Sequence, residues 1–134
     1  HAKIANYIHE KTDAKIGGML AYSNVYPETN HPEDIRVTRE WDEFVNQNLI
    51  DVFNGQGYSK AVRKYEKNNL RLLITKDELE TISKVKSDYL AFSYYCTGSI
   101  NHKNIPEGTP PNYYLQYGEV ANPYVLENNS LKSS

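Results

Sequence analysis

The clearest pattern in the chain is a short apolar run between Ser87 and Gly98, which reads SDYLAFSYYCTG. Tyr89-Leu90-Ala91-Phe92 is apolar at successive positions, so a strand built from it would have two apolar faces. A short run of this kind is typical of a strand buried in a parallel sheet. The pattern therefore predicts a buried strand over Ser87–Tyr95 that is broken by Thr97-Gly98.

This predicted strand ends in a hydroxyl and two phenols, in the order Ser93-Tyr94-Tyr95. Ligands in α/β folds bind at the carboxyl ends of the strands. The three side chains are therefore candidates for one wall of a binding site. The alternative is that the tyrosines are core residues whose hydroxyls find hydrogen-bond partners inside the protein.

A second strand is predicted over Ala14–Tyr22. Gly17-Gly18 in its middle allows a close approach of another backbone, or a bulge. The stretch that follows, Tyr22-Ser23-Asn24-Val25-Tyr26-Pro27, is a second candidate site wall. The alternative for this stretch is an ordinary loop between a strand and a helix.

Apolar residues at helical spacing predict helices before and between the two strands. One long helix begins at Pro32, since proline suits the first helical position, and another begins at a Thr75 to Glu78 capping box. A basic amphipathic helix is predicted over Ser59–Lys67. The apolar faces are Ile4, Tyr7 and Ile8; Trp41, Phe44, Val45, Leu49 and Val52; Val62 and Tyr65; and Leu79, Ile82 and Val85. Strands that alternate with helices predict a parallel α/β fold.

The chain changes character at Gly98. Four of the six prolines lie beyond it, and the apolar residues show no clear period. This part also contains Tyr113, Tyr114, Tyr117 and Tyr124. We therefore predict a segment of helices and strands over residues 1–97, followed by a long loop or tail over residues 98–134.

Composition narrows the possible functions. The formal net charge of the 134 residues is −2, which indicates no nucleic-acid surface, and no apolar run approaches the ~20 residues of a membrane helix. One cysteine, Cys96, excludes an internal disulfide and agrees with a reducing compartment. The four histidines show no metal-ligand spacing, and no glycine-rich loop suits a phosphate, so neither a metal nor a cofactor is predicted.

Two stretches resemble glycoside hydrolase family 1, and within it the 6-phospho-β-glucosidases. DYLAFSYY resembles the D-F-I-G-F-S-Y-Y segment at the sixth barrel strand of that family. DAKIGGMLAYSNVYP resembles its fifth-strand segment, and the two stretches come in the family's order. Gly57-Tyr58-Ser59 departs from the family's R-G-x-Y-P. The resemblance implies part of a (β/α)₈ barrel, because a whole barrel needs about 250 residues.

The resemblance also implies roles for individual residues. Tyr95 matches the tyrosine that hydrogen-bonds the catalytic nucleophile, and Ser93 lies beside the reacting sugar. Tyr22, Asn24, Tyr26 and Tyr94 would contact the substrate. The family's two catalytic glutamates come from T-x-N-E-P and T-E-N-G motifs, and neither motif occurs in this chain. Glu28 and Glu127-Asn128-Asn129 do not replace them, so the chain is expected to contain no catalytic residue of its own.

The interpretation is thus an internal segment of a cytoplasmic enzyme acting on a phosphorylated β-glucoside, running from the fourth helix to the loop after the sixth strand. Asn122-Pro123-Tyr124 resembles a segment close to the end of that loop. The segment is expected to bind neither nucleic acid nor membrane. It is expected to self-associate, because its sheet would have bare edges. The rivals are a free-standing sugar-binding module and a complete small α/β protein with an interaction role.

Overall fold

The computed structural model describes residues 1–70 and 74–122. Tyr124 and Glu127-Asn128-Asn129, which the sequence singled out, lie outside those residues. Within them, the helices are α1 (Ala2–Lys11), α2 (Pro32–Asp42), α3 (Asn48–Phe53), α4 (Lys60–Tyr65), α5 (Lys76–Ser83) and α6 (Tyr114–Gly118). The strands are β1 (Gly18–Pro27), β2 (Leu90–Ile100) and β3 (Glu119–Val120).

The three strands form one mixed sheet in the order β1-β2-β3. The Asp88 N–H donates to the carbonyl of Ile16 before the strands, and the Glu28 N–H donates to that of Ile100 after them. The residues before the two strands are bonded to each other, and so are the residues at their carboxyl ends. β1 and β2 therefore run parallel, as predicted. β3 is antiparallel to β2, with Ser99 opposite Val120 and Ile100 opposite Glu119.

The residues divide into two compact units. The first comprises His1–Tyr22 and Glu43–Tyr94, and the second joins Ser23–Asp42 to the described residues from Tyr95 onward. This division follows contacts in space. The predicted division at residue 97 follows the chain and stays a prediction.

In the first unit, α1 packs against α5, and the Asn6 amide donates to the carbonyl of Thr81 at 2.9 Å. The close approach predicted for the paired glycines is confirmed. A Cβ atom on Gly17 would lie 2.2 Å from the carbonyl oxygen of Tyr89, and one on Gly18 would lie 2.5 Å from the Phe53 ring. Any side chain at these positions would displace the neighbouring residue.

The predicted helix starts are also present. Thr75 and Glu78 form the capping box, with the Glu78 N–H donating to the Thr75 hydroxyl and the Thr75 N–H donating to the Glu78 carboxylate. The long helix predicted from Pro32 is instead interrupted, because a π-helical segment, Glu43–Gln47, separates α2 from α3. Of the helix predicted over Ser59–Lys67, the α-helical part ends at Tyr65. The chain then continues as the π-helical segment Glu66–Leu70.

The first half of β2 is not buried, which corrects the expectation of a strand with two covered faces. Phe92 is 62% exposed and Tyr95 is 80% exposed, whereas Ser99 and Ile100 at the other end are buried. Leu90, Phe92 and Tyr94 are exposed, whereas Ala91 and Ser93 between them are half-buried. The large apolar and aromatic residues of this first half therefore face solvent in this chain.

Candidate functional site

All six residues predicted to support or bind a substrate lie on β1 or β2. Tyr22, Ser93 and Tyr94 belong to the first unit, and Asn24, Tyr26 and Tyr95 belong to the second.

Their positions along the strands differ from the prediction. β2 continues to Ile100, so Ser93-Tyr94-Tyr95 lies within the strand and not at its carboxyl end. Tyr22 and Tyr26 lie within β1, which excludes the alternative of an ordinary loop for this stretch.

In the first unit, the Tyr22 ring lies 6.0 Å from the Phe92 ring at an interplanar angle of 58°. The two rings therefore share a face of the sheet. Successive strand residues point to opposite faces, so Tyr94 shares the Phe92 face and Ser93 points away from it. Exposure alternates in the same way from Leu90 to Tyr94. The structure thus brings Tyr22 together with Phe92, which the sequence had treated only as a strand residue.

In the second unit, Asn24 is half-buried, and Tyr26 and Tyr95 are 53% and 80% exposed. The exposure of Tyr95, together with that of Tyr94 at 48%, excludes the alternative in which the two tyrosines of β2 are core residues of this chain. A phenol that reaches solvent can donate a hydrogen bond to a ligand. The substrate roles of the six residues remain predictions.

The second unit also contains a polar cluster that the sequence did not reveal, centred on Asp34. This residue lies in the first turn of α2 and is only 1% exposed. Its Oδ1 accepts from the backbone N–H of His102 at 2.8 Å and is 2.6 Å from His102 Nδ1, and its Oδ2 accepts from the Thr29 hydroxyl at 2.6 Å. The proline at helix position 1 predicted the start of α2, but no local pattern pairs Asp34 with His102.

These contacts determine the charge of Asp34. Burial by itself would raise the pKa of the carboxyl group. The backbone N–H of His102, the Thr29 hydroxyl and the His102 ring outweigh burial and lower the pKa from 3.8 to about 2. Asp34 is therefore a buried carboxylate that stays ionised, held by three donors.

A second histidine completes this cluster. The rings of His31 and His102 are stacked, with centroids 4.7 Å apart and an interplanar angle of 14°. His31 Nδ1 accepts from the backbone N–H of Glu33 at 3.2 Å, and the His31 N–H donates to the Thr29 hydroxyl at 3.1 Å. We call His31, Asp34 and His102, together with Thr29, the Asp34 cluster. It joins the start of α2 to the turn that follows β2.

No group of three or more His, Cys, Asp or Glu side chains within residues 1–70 and 74–122 could hold a metal ion. A pocket of about 610 Å³ lies in the first unit, lined by the start of α1, by α5, and by Tyr58 and Ile74. It is mostly apolar and contains none of the six predicted residues. Across the same described ranges, the helices are all too short or too polar to cross a membrane.

Comparison with known proteins identifies the family. The sequence profile of glycosyl hydrolase family 1 matches residues 1–131. The chain belongs to glycosyl hydrolase family 1. Among its relatives in this family, an aryl-phospho-β-D-glucosidase of Bacillus subtilis, BglH, is 31% identical over 114 residues, covering 84% of this chain and 24% of that protein. A 6-phospho-β-glucosidase of Clostridium longisporum is 34% identical over 121 residues, covering 80% and 24%.

Solved structures agree on the fold of this family 1 chain. The family 1 β-glucosidase of Thermotoga maritima superposes with a TM-score of 0.70 at 22% identity, covering 92% of this chain and 26% of that one. A family 1 β-glucosidase of Exiguobacterium antarcticum gives a TM-score of 0.72 at 16% identity, covering 92% and 27%. The predicted fold class, part of a (β/α)₈ barrel, is confirmed. The chain spans about a quarter of the length of these proteins.

Proposed function

We propose that this chain is an internal segment of a cytoplasmic 6-phospho-β-glucosidase that cleaves its substrate with retention of configuration. The similarity to proteins named as phospho-β-glucosidases, at 31% and 34% identity over most of the chain, carries the proposal. The resemblance supports the same subfamily, because a Ser before the tyrosine pair, here Ser93-Tyr94-Tyr95, is typical of the 6-phospho-β-glucosidases. The free, exposed Cys96 is compatible with a reducing compartment.

We further propose that both catalytic glutamates lie outside the chain. Retaining glycosidases need two carboxyl groups about 5 to 5.5 Å apart, one as acid/base and one as nucleophile. The motifs that carry them are missing from the sequence. Glu28 does not stand in for either, since it is an exposed loop carboxylate that accepts a hydrogen bond from the Asn101 amide.

The test is an assay of the full-length protein that carries this segment, on a matched pair of chromogenic aryl β-glucosides with and without the 6-phosphate. We expect the phosphorylated substrate to have the larger kcat/KM. Equal or better hydrolysis of the unphosphorylated substrate would refute the subfamily, and hydrolysis of neither would refute the activity.

Tyr95 is proposed to donate a hydrogen bond to the nucleophilic carboxylate, which would orient it and keep it ionised. A hydrogen bond to a charged group contributes roughly 1.5 to 3 kcal/mol. In the full-length enzyme, Tyr95→Phe should therefore lower kcat about tenfold to a hundredfold, with little loss of folding stability. Tyr95 is 80% exposed in this chain, so the lost hydroxyl supports no packing here.

The matched control for this substitution is Tyr89→Phe. Tyr89 precedes the same strand, is 55% exposed and is not a predicted site residue. Removal of the Tyr89 hydroxyl should leave kcat unchanged. Equal effects of the two substitutions on kcat would show that Tyr95 has no special role.

The isolated chain is proposed to associate into a two-fold dimer. β3 is only two residues long and pairs with the last two residues of β2, so it shields only that end of the strand edge. Leu90, Phe92 and Tyr94 on the same strand are exposed. An open edge with apolar side chains favours pairing with a second copy.

Sedimentation equilibrium across a dilution series tests this association. We expect the mass to rise from one chain to two with concentration, and Phe92→Lys to shift the transition to higher concentration because a charge would be placed at the contact. A single chain that stays monomeric at the highest concentration would contradict the dimer.

A further inference from the structure

The Asp34 cluster contains two histidines with opposite requirements for a proton. We propose that His31 and His102 form a pH-sensitive latch, in which neutral His31 holds the start of α2 and protonated Nδ1 of His102 holds the turn after β2. The proposal concerns only the second unit and does not depend on the proposed function.

The tautomer of His31 follows from its contact with Glu33. A backbone N–H can only donate, so Nδ1 of His31, 3.2 Å from the Glu33 nitrogen, must be without a proton. The proton of the neutral ring is then on Nε2. Since His31 directly precedes α2 and the Glu33 N–H is one of the unpaired donors of the first turn, the ring acts as the helix cap.

The opposite state follows for His102. Its Nδ1 lies 2.6 Å from Oδ1 of Asp34, a carboxylate that is ionised at neutral pH. A carboxylate can only accept, so Nδ1 of His102 must carry a proton. The backbone N–H of the same residue donates to the same oxygen at 2.8 Å. His102 is therefore attached to α2 through two donors.

The latch should open when His31 gains a proton. A proton on Nδ1 of His31 removes the acceptor for the Glu33 N–H. The Glu33 N–H and the new Nδ1–H of His31 are then two donors that face each other. When both rings are protonated, two positive charges face each other at a centroid distance of 4.7 Å. Histidine changes charge between about pH 5 and pH 8, so mild acid is enough to weaken the contact between α2 and the turn after β2.

Other charges near the rings oppose this effect only in part. Arg36 binds the Glu33 carboxylate at 2.8 and 3.0 Å and is the main cause of the lowered pKa of Glu33, and charge on the two rings lowers that pKa further. Arg36 is itself shared with Glu40 on the next turn. On the other side, Asp34 faces His102, and Glu28 contacts Asn101 beside it. Glu33 is the carboxylate that interacts with a charged His31, and its charge is already paired with Arg36.

The experiment is long-range ¹⁵N–¹H NMR of the histidine rings of the unsubstituted chain, with the Glu33 amide followed in the same samples from pH 8 to pH 5. At pH 8 we expect His31 as the Nε2–H tautomer and His102 with a proton on Nδ1. The Glu33 amide should lose its hydrogen-bonded shift and its exchange protection as His31 is protonated. His9 is the control histidine, because its ring binds Asp88 in the first unit and caps no helix.

Two substitutions separate the cap from the charge. His31→Asn supplies a favoured cap that does not titrate, so the Glu33 amide should stay within about twofold of its pH 8 protection down to pH 5. His31→Ala removes the cap and should lower that protection about tenfold at every pH. A proton on Nδ1 of His31 at pH 8, a His102 ring without one, or the same pH dependence in His31→Asn as in the natural chain would overturn the proposal.

Discussion

The isolated 134-residue chain should release no measurable aglycone from a chromogenic 6-phospho-β-glucoside. Both carboxyl groups that would make and break the glycosyl-enzyme bond are proposed to lie outside it, so the chain alone would lack the acid/base and the nucleophile. Enzymes of ordinary efficiency accelerate their reactions by at least about 10⁶-fold, so the expected loss is essentially complete.

The assay compares the pure chain with the full-length protein on the same substrate and at the same molar concentration. The Glu28→Gln variant of the chain is the control for any residual rate, since Glu28 is the loop carboxylate that follows β1. Turnover by the pure chain above the buffer rate would contradict the proposed position of the catalytic glutamates. If Glu28→Gln abolished that turnover, Glu28 itself would be the catalytic group.

Several elements of the fold were predictable because their cause is local. The capping box at Thr75 needs only two side chains within one turn, and the start of α2 needs only the fixed backbone angle of Pro32. The two parallel strands followed from apolar runs separated by helices. The family resemblance rested on two stretches, DAKIGGMLAYSNVYP and DYLAFSYY, and the match over residues 1–131 confirms it.

The end of β2 was predicted wrongly for a physical reason. The sequence predicts a break at Thr97-Gly98, but β2 continues through both residues to Ile100. A Cβ atom on Gly98 would lie 3.0 Å from a methyl group of Leu115 in α6. Glycine at this position therefore permits close packing within a strand. Leu115, the residue that Gly98 accommodates, lies in a different part of the sequence, so no local pattern indicates this contact.

The Asp34 cluster was not predictable for a related reason. Asp34 and His102 are separated by 68 residues, and each has an unremarkable local context, an acidic first turn and a polar loop. Only the folded chain brings them to 2.6 Å. The rivals of the family interpretation, a sugar-binding module and a small interaction protein, gain no support from either the structure or the comparisons.

Substitution of Asp34 should cause a large loss of stability in the second unit. The carboxylate is 1% exposed and accepts from the His102 N–H, the His102 ring and the Thr29 hydroxyl. Asp34→Ala leaves these donors without their acceptor. Removal of one partner from a buried ionic contact costs roughly 3 to 5 kcal/mol, so we expect a decrease of about that size in the free energy of unfolding at pH 7.

The isosteric variant Asp34→Asn tests whether the charge itself is responsible. The pKa of Asp34 is lowered from 3.8 to about 2, so its contribution is complete above the unfolded-state pKa and is lost as the pH falls from about 4 to about 2. A shift of this size corresponds to roughly 2 kcal/mol.

Urea unfolding at pH 7, 4, 3 and 2 should show this loss in the natural chain and not in Asp34→Asn. Asp13→Asn, at an exposed position between α1 and β1, should follow the natural chain throughout. If Asp34→Asn lost as much stability in acid as the natural chain, another carboxylate would be the source of that loss. The charge of Asp34 would then not contribute to the free energy of unfolding.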